Sequence, residues 1–249
     1  MPYNNAQSIP VIDRWFGSWQ IRIGRRPLAT EALASAYDRE APTWTELTNR
    51  LGYPTSYRRV FEQFLDRHAL ESGDAPLRVL DCGVGTGSLS LALDDVLNKP
   101  MALSAVDISP SMVQRCQERF ATSGLTADVR VASVAQLPYS DHQFDLVIAA
   151  HVLEHLPNPI EALAEIRRVL KPGGWVVSCL TRRSWLGTYI QTKWRTHRVS
   201  PVDAQDWLRR AGFQPRGTLA QPNGLFRYTS LTAVGQNTIA AANKEETQR

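Results

Sequence analysis

Nothing in this chain of 249 residues limits its fold more than the stretch Leu77-Arg78-Val79-Leu80-Asp81-Cys82-Gly83-Val84-Gly85-Thr86-Gly87-Ser88-Leu89-Ser90-Leu91-Ala92-Leu93. Val79 and Leu80 read as a buried strand that stops at an acid. Three glycines at alternate positions come next, and then leucines at the spacing of a helix face. The order is strand, glycine loop, helix. Glycine lets such a loop turn sharply and lets a ligand lie against backbone N–H groups. A lone glycine fingerprint is weak evidence, but here both flanks carry the right periodicity.

A second strand narrows the ligand. Ala102-Leu103-Ser104-Ala105-Val106-Asp107 is apolar and again ends in an acid. That acid falls about 20 residues past the last glycine, where nucleotide-binding folds use a carboxylate to accept hydrogen bonds from ribose hydroxyls. Dinucleotide sites seat a pyrophosphate on G-x-G-x-x-G. This loop instead reads Asp81-x-Gly83-x-Gly85-x-Gly87, with a carboxylate at its head that repels phosphate and attracts an ammonium group. A ligand with adenosine at one end and an amino acid at the other fits better than NAD.

The segments Val79–Gly87 and Val106-Asp107-Ile108-Ser109-Pro110-Ser111-Met112 resemble the signature of class I S-adenosylmethionine-dependent methyltransferases. Gln143-Phe144-Asp145-Leu146-Val147-Ile148 and Val169-Leu170-Lys171-Pro172-Gly173-Gly174-Trp175 extend the match, which is similar to small-molecule enzymes of ubiquinone and menaquinone biosynthesis. The resemblance covers Leu77 to Leu180 and implies S-adenosylmethionine as cofactor. It places Asp81 on the cofactor's ammonium, Gly83, Gly85 and Gly87 against its methionine portion, and Asp107 on its ribose. Ile108 and Met112 are candidates to sandwich the adenine. Where relatives carry an acid for the adenine amino group, this chain has Ser133, so the Val134 N–H is the alternative partner.

Apolar strands alternate with helical patterns, which implies a parallel sheet with helices on both faces. Strands are expected at 127–132, 144–150 and 175–180, with two more around 217–220 and 225–234. A helix from Pro159 is expected to end at Gly173. The fold class is therefore α/β, a Rossmann-like, mostly parallel seven-stranded sheet, and the resemblance adds a terminal antiparallel hairpin. Ligands in such sheets bind beyond the carboxyl ends of the strands. That rim holds Asp81, Gly83, Asp107, Ser133 and His151. The expected domains are an N-terminal arm with lid helices at 1–70, a core at 71–240 with an insertion at 181–200, and a polar tail at 241–249.

A hydrophobic fraction of 43% supports a sizeable core, and no apolar run reaches the length of a membrane span. Cys82, Cys116 and Cys179 read as reduced packing cysteines of a cytoplasmic protein, with a peripheral membrane position as an alternative. The net charge of +4 permits an anionic substrate, a membrane surface or nucleic acid. Val11 to Arg26 mixes aromatics with arginines, and so does Thr181–Arg198, which holds Trp185 and Trp194.

Methyl transfer from a sulfonium needs alignment and exclusion of water. A base is needed only if the acceptor loses a proton. His151, next to the fourth strand's tip, is the candidate base or acceptor-orienting group. The resemblance adds Tyr37 as a lid tyrosine facing cofactor or acceptor, and His155 as a loop fastener. Glu154 with His155 is similar to the metal cluster of some quinone O-methyltransferases, but His151 stands where their first acid would be, so no metal is expected. The expected partner is a small-molecule methyl acceptor, partly apolar and anionic or quinone-like. Two rivals are a nucleic-acid methyltransferase, disfavoured because Ala150-His151-Val152-Leu153 replaces the Asn/Asp-Pro-Pro-aromatic run, and a non-catalytic cofactor-binding subunit. Oligomeric state is not legible.

Overall fold

The computed structural model describes residues 9–25, 29–70, 75–182, 184, 196–197, 199–220 and 226–238. Trp185, Trp194, most of the 181–198 insertion and the tail from 241 lie outside the described residues. In chain order the elements are β1 (Ile9–Phe16), β2 (Trp19–Arg25), α1 (Thr30–Arg50), α2 (Tyr53–Arg67), β3 (Leu77–Cys82), α3 (Ser88–Asp94) and β4 (Met101–Asp107). Then come α4 (Pro110–Ser123), β5 (Ala127–Val131), β6 (Phe144–Ala150), a 3-10 turn at Leu153–His155, α5 (Pro159–Val169) and β7 (Leu170–Thr181). The chain closes with α6 (Pro201–Arg210), β8 (Gln214–Leu219), α7 (Phe226–Thr229) and β9 (Ser230–Gln236).

Seven strands form one sheet in the order β5-β4-β3-β6-β7-β9-β8, and β1 and β2 pair separately as an antiparallel hairpin. Every pair in the large sheet is parallel except those made by β9. The fold is the expected Rossmann-like sheet with a terminal antiparallel hairpin. From β3 the chain steps outward to β4 and β5, then returns to β6 on β3's other side. This reversal opens the crevice where such sheets bind ligands.

Covering both faces makes the central strands apolar throughout. In β6, Leu146 and Ile148 pack with α2, α3 and α4 through Val60, Phe61, Leu89, Leu93 and Phe120. Val147 and Ala149 face the other layer, with Leu163 and Ile166 of α5 and Leu208 of α6. Polar ties fasten the strand entrances: Asp145 accepts from Arg78 N at 2.9 Å and from Lys171 Nζ at 2.6 Å.

Two boundaries differ from the sequence expectation. Helix α5 ends at Val169, and the chain enters β7 at Leu170, which pairs with Phe144, so Gly173 lies inside the strand rather than at a helix end. The last strand begins at Ser230, and α7 occupies the residues before it. The arm's glycine at 17 takes φ +61° in the turn between β1 and β2.

Candidate active site

One cavity of about 360 Å³ occupies the crevice beyond the ends of β3, β4 and β6. It has two halves. The first is built around the glycine loop. Gly83 N and Val84 N both donate to Val106 O, at 2.7 and 2.9 Å, and Gly87 N donates to Val84 O at 2.8 Å. The loop's N–H groups are thus largely committed to the protein, and the glycines serve other ends. A Cβ on Gly83 would lie 2.2 Å from Val152 Cγ2, and one on Gly87 would lie 2.4 Å from the Phe120 ring. At Gly85 a Cβ would meet nothing within 4 Å, so that glycine leaves room.

Asp107, 8% exposed, lines the cavity and accepts from Gly85 N and Ser109 N, both at 2.9 Å. Burial pushes its carboxyl up, against the N–H groups of Ser109, Gly85 and Ile108 that favour its charge. A carboxylate has about four lone-pair positions, so it can still accept two ribose hydroxyls. Ile108, Met112, Ser133 and Val134 also line the cavity. The Ser133 hydroxyl accepts from Ala135 N at 3.2 Å and retains its own hydrogen to donate. Asp81 lies behind the loop, fully buried. Ser90 Oγ donates to its Oδ2 at 2.6 Å, and its Oδ1 has no partner among the described residues. Burial raises it to about 7, with the Ser90 hydroxyl opposing and Asp107 adding. The unpartnered oxygen, the spare acceptors of Asp107 and the space over Gly85 together fit an adenosyl group with an ammonium end.

The second half is aromatic, walled by Tyr37, Tyr53, Tyr57 and His151. His151 takes φ +57°, a left-handed backbone state that costs a non-glycine residue about 1–3 kcal/mol and that His142, outside the cavity, shares at +55°. Its N–H donates to Cys179 O at 2.8 Å, and its ring packs 5.7 Å from that of Tyr53. Glu154, fully buried, lies 3.2 Å from His151 Nδ1. Burial would raise Glu154, but the hydrogen bond and charge of His151 and the charge of His155 outweigh it and hold it at about 2. Burial pushes His155 down to about 4 despite the opposing pull of Glu154. Tyr37 Oη sits 3.1 Å from His155 Nε2, and burial with Glu154 and Asp107 nearby keeps its phenol well above the usual range.

Sequence reasoning missed how α1 is fastened across this crevice. Tyr37 reaches His155 on the β6 side, while Asp38 Oδ1 accepts from Ser109 Oγ and, at 3.3 Å, from Ser111 N at the start of α4. It also missed Arg119, whose Nη1 donates to Thr86 O at 3.0 Å and Ser88 Oγ at 2.8 Å and so props the glycine loop. Nothing local marks Arg119 in the sequence. Asp38 carried a faint signal, its place beside the lid tyrosine.

Residues 80–178 match the family model described as a methyltransferase domain. The chain is 33% identical over 108 residues to the ubiquinone/menaquinone biosynthesis C-methyltransferase UbiE of Cupriavidus taiwanensis, a stretch covering 43% of this chain and 44% of that protein. It is 34% identical over 147 residues to the demethylmenaquinone methyltransferase of Lactiplantibacillus plantarum, covering 58% and 60%. The chain thus spans less than two thirds of either relative's length. Among solved structures, a possible histamine N-methyltransferase from Thermotoga maritima superposes with a TM-score of 0.63 at 21% identity, over 83% of this chain and all of that one. The [4+2]-cyclase SpnF superposes at 0.69 with 17% identity, over 86% and 97%. At these identities the structures share the fold alone, and a cyclase among them means that the fold does not dictate the reaction.

Proposed function

We propose, from the premise that residues 80–178 form a class I S-adenosylmethionine-dependent methyltransferase domain similar to UbiE, that this chain methylates a small, partly apolar acceptor of quinone-like type. The observation that carries this reading is a single cavity joining Asp107 at one end to a chamber of three tyrosines and His151 at the other. S-adenosylmethionine supplies a methyl carbon activated by a sulfonium sulfur that leaves as a neutral thioether.

The chain's own residues do the rest. Asp107 accepts the ribose hydroxyls, and Asp81 biases the loop toward a cationic end. Ile108 and Met112 flank the adenine, with Ser133 and the Val134 N–H at its edge. Tyr37 and α1 roof the crevice and exclude water, which strengthens alignment and suppresses side reactions. His151 orients the acceptor or removes its proton. Residues 1–70, through α1 and α2, act as the cover and 71–240 as the core.

An acceptor of this kind suits delivery from a membrane surface. No helix among the described residues is long and apolar enough to cross a membrane. At the tip of the β1–β2 hairpin, however, Phe16 and Trp19 pair directly and are 57% and 77% exposed, and Ile21 is 47% exposed. Aromatic side chains of that kind favour the water–lipid boundary. The test is transfer of a labelled methyl group to catechols, hydroquinones, amines and single-stranded RNA. Label on the hydroquinones or catechols supports the reading, and label on RNA or on no acceptor overturns it.

A further inference from the structure

The hydrogen bonds around His151 fix which of its nitrogens carries hydrogen. Glu154 Oε1 accepts from Thr181 N at 2.7 Å and from Thr181 Oγ1 at 2.8 Å, and lies 3.2 Å from His151 Nδ1. An ionised carboxylate only accepts, so Nδ1 is the nitrogen that donates. Thr181 Oγ1, 3.1 Å from the same Nδ1, spends its own hydrogen on Glu154 and does not compete as a donor. Nε2 keeps its lone pair. Ser230 Oγ stands 3.5 Å from it, at the outer limit of a hydrogen bond.

We propose that Glu154 is a positioning residue that holds His151 with Nε2 as a proton acceptor in the cavity wall, so that the site serves acceptors that lose a proton on methylation. A phenol-type hydroxyl is the class that suits a chamber lined by Tyr37, Tyr53 and Tyr57. This rests on the methyl-transfer reading above. In the step, the acceptor's O–H bond breaks and its proton goes to Nε2. An oxygen electron pair forms the new bond to the methyl carbon, and the carbon–sulfur pair stays on sulfur. The imidazolium then gives its proton to solvent. The strained backbone at His151 and the tie of its N–H to Cys179 O aim the ring, while Glu154 sets its tautomer. Among the described residues, the titratable groups around the ring are Glu154 and His155 from the same turn, Tyr53 from α2 and Cys179 of β7, with His197 behind Glu154. Thr181 and Ser230 are neutral.

The test is nitrogen NMR on the full chain with labelled histidine, its five histidines resolved by the signal missing in His151→Asn. Neutral His151 is expected as the Nδ1–H tautomer, with population moving toward Nε2–H in Glu154→Gln. An Nε2–H tautomer in the wild type, or one that responds to neither Glu154→Gln nor Glu154→Ala, overturns the proposal. This readout needs no turnover, so its failure is distinct from a chain that labels no acceptor at all. With catechol as acceptor, Glu154→Gln keeps the side chain's volume and an acceptor for Thr181 but removes the charge. It is expected to lower kcat about tenfold with KM within about twofold. A raised KM with kcat unchanged would instead make Glu154 a loop fastener and sink the idea.

Discussion

The two halves of the crevice are built by different means. Around the glycine loop, shape comes from backbone: positive φ angles at Gly83 and Gly87, close contacts with Val152 and Phe120, and N–H groups pinned to Val106 O. Around His151, shape comes from buried charge, in which Glu154 holds together the ends of β6 and β7 and the 3-10 turn. The first half is held tightly at Gly83 and Gly87 and suits a ligand of one fixed shape. The second depends on side chains that can be exchanged one at a time, which suits an acceptor that differs between relatives. That division is consistent with a shared core serving different reactions.

Substitutions should separate the halves. The largest effect is expected from Gly83→Ala, which forces a left-handed backbone and a 2.2 Å clash with Val152, costing about 3 kcal/mol or more. Thermal unfolding should show Tm lower by about 10 °C, and an unchanged Tm would mean that the loop is not backbone-limited. Gly85→Ala, with open space around its Cβ, should fold better than Gly83→Ala and still bind cofactor poorly. Next is Asp107→Ala, which removes an acceptor worth about 1.5–3 kcal/mol and should weaken S-adenosylhomocysteine binding at least about tenfold. Equal binding by the variant would remove Asp107 from the site.

A pH series distinguishes buried charge in the two halves. Asp81, raised to about 7, binds more protons folded than unfolded between its ordinary value and 7, so acidification relieves a penalty. The stability of Asp81→Asn relative to wild type should therefore fall as pH drops from 8 to 4. His155, lowered to about 4, works in the opposite direction: its contribution is lost as pH falls from its ordinary value of 6.5 toward 4. Chemical denaturation at each pH reads both, and a flat Asp81→Asn difference would contradict the buried-carboxylate assignment. The smallest effect on the fold is expected from Trp19→Ser at the exposed hairpin tip, within about 0.5 kcal/mol. The same change should reduce co-sedimentation with anionic phosphatidylserine vesicles, and undiminished sedimentation would dissociate the hairpin from membranes.

The same contrast explains how legible each half was in the sequence. The loop, Asp107 and the entry to α4 lie within one short run whose spacing encodes their geometry, and Ser109 caps α4 at Met112 N as proline at its first turn suggests. The Glu154–Thr181 bonds join residues 27 positions apart and Tyr37–His155 joins residues 118 apart, so no local pattern marks them. Asp81 was legible as an acid at the loop's head but not as one buried beneath it, because burial depends on Ser90 and the sheet beneath. Gly173 looked like a helix stop because glycine after a helical run usually is one. Pairing of Leu170 with Phe144 draws the chain into the sheet earlier.

The most direct measurement is calorimetric titration of S-adenosylhomocysteine into the folded 249-residue chain at neutral pH. Saturable heat with one site per chain is the predicted result. Folded protein that takes up none of the ligand would contradict the reading of the crevice on which all of the assigned chemistry depends.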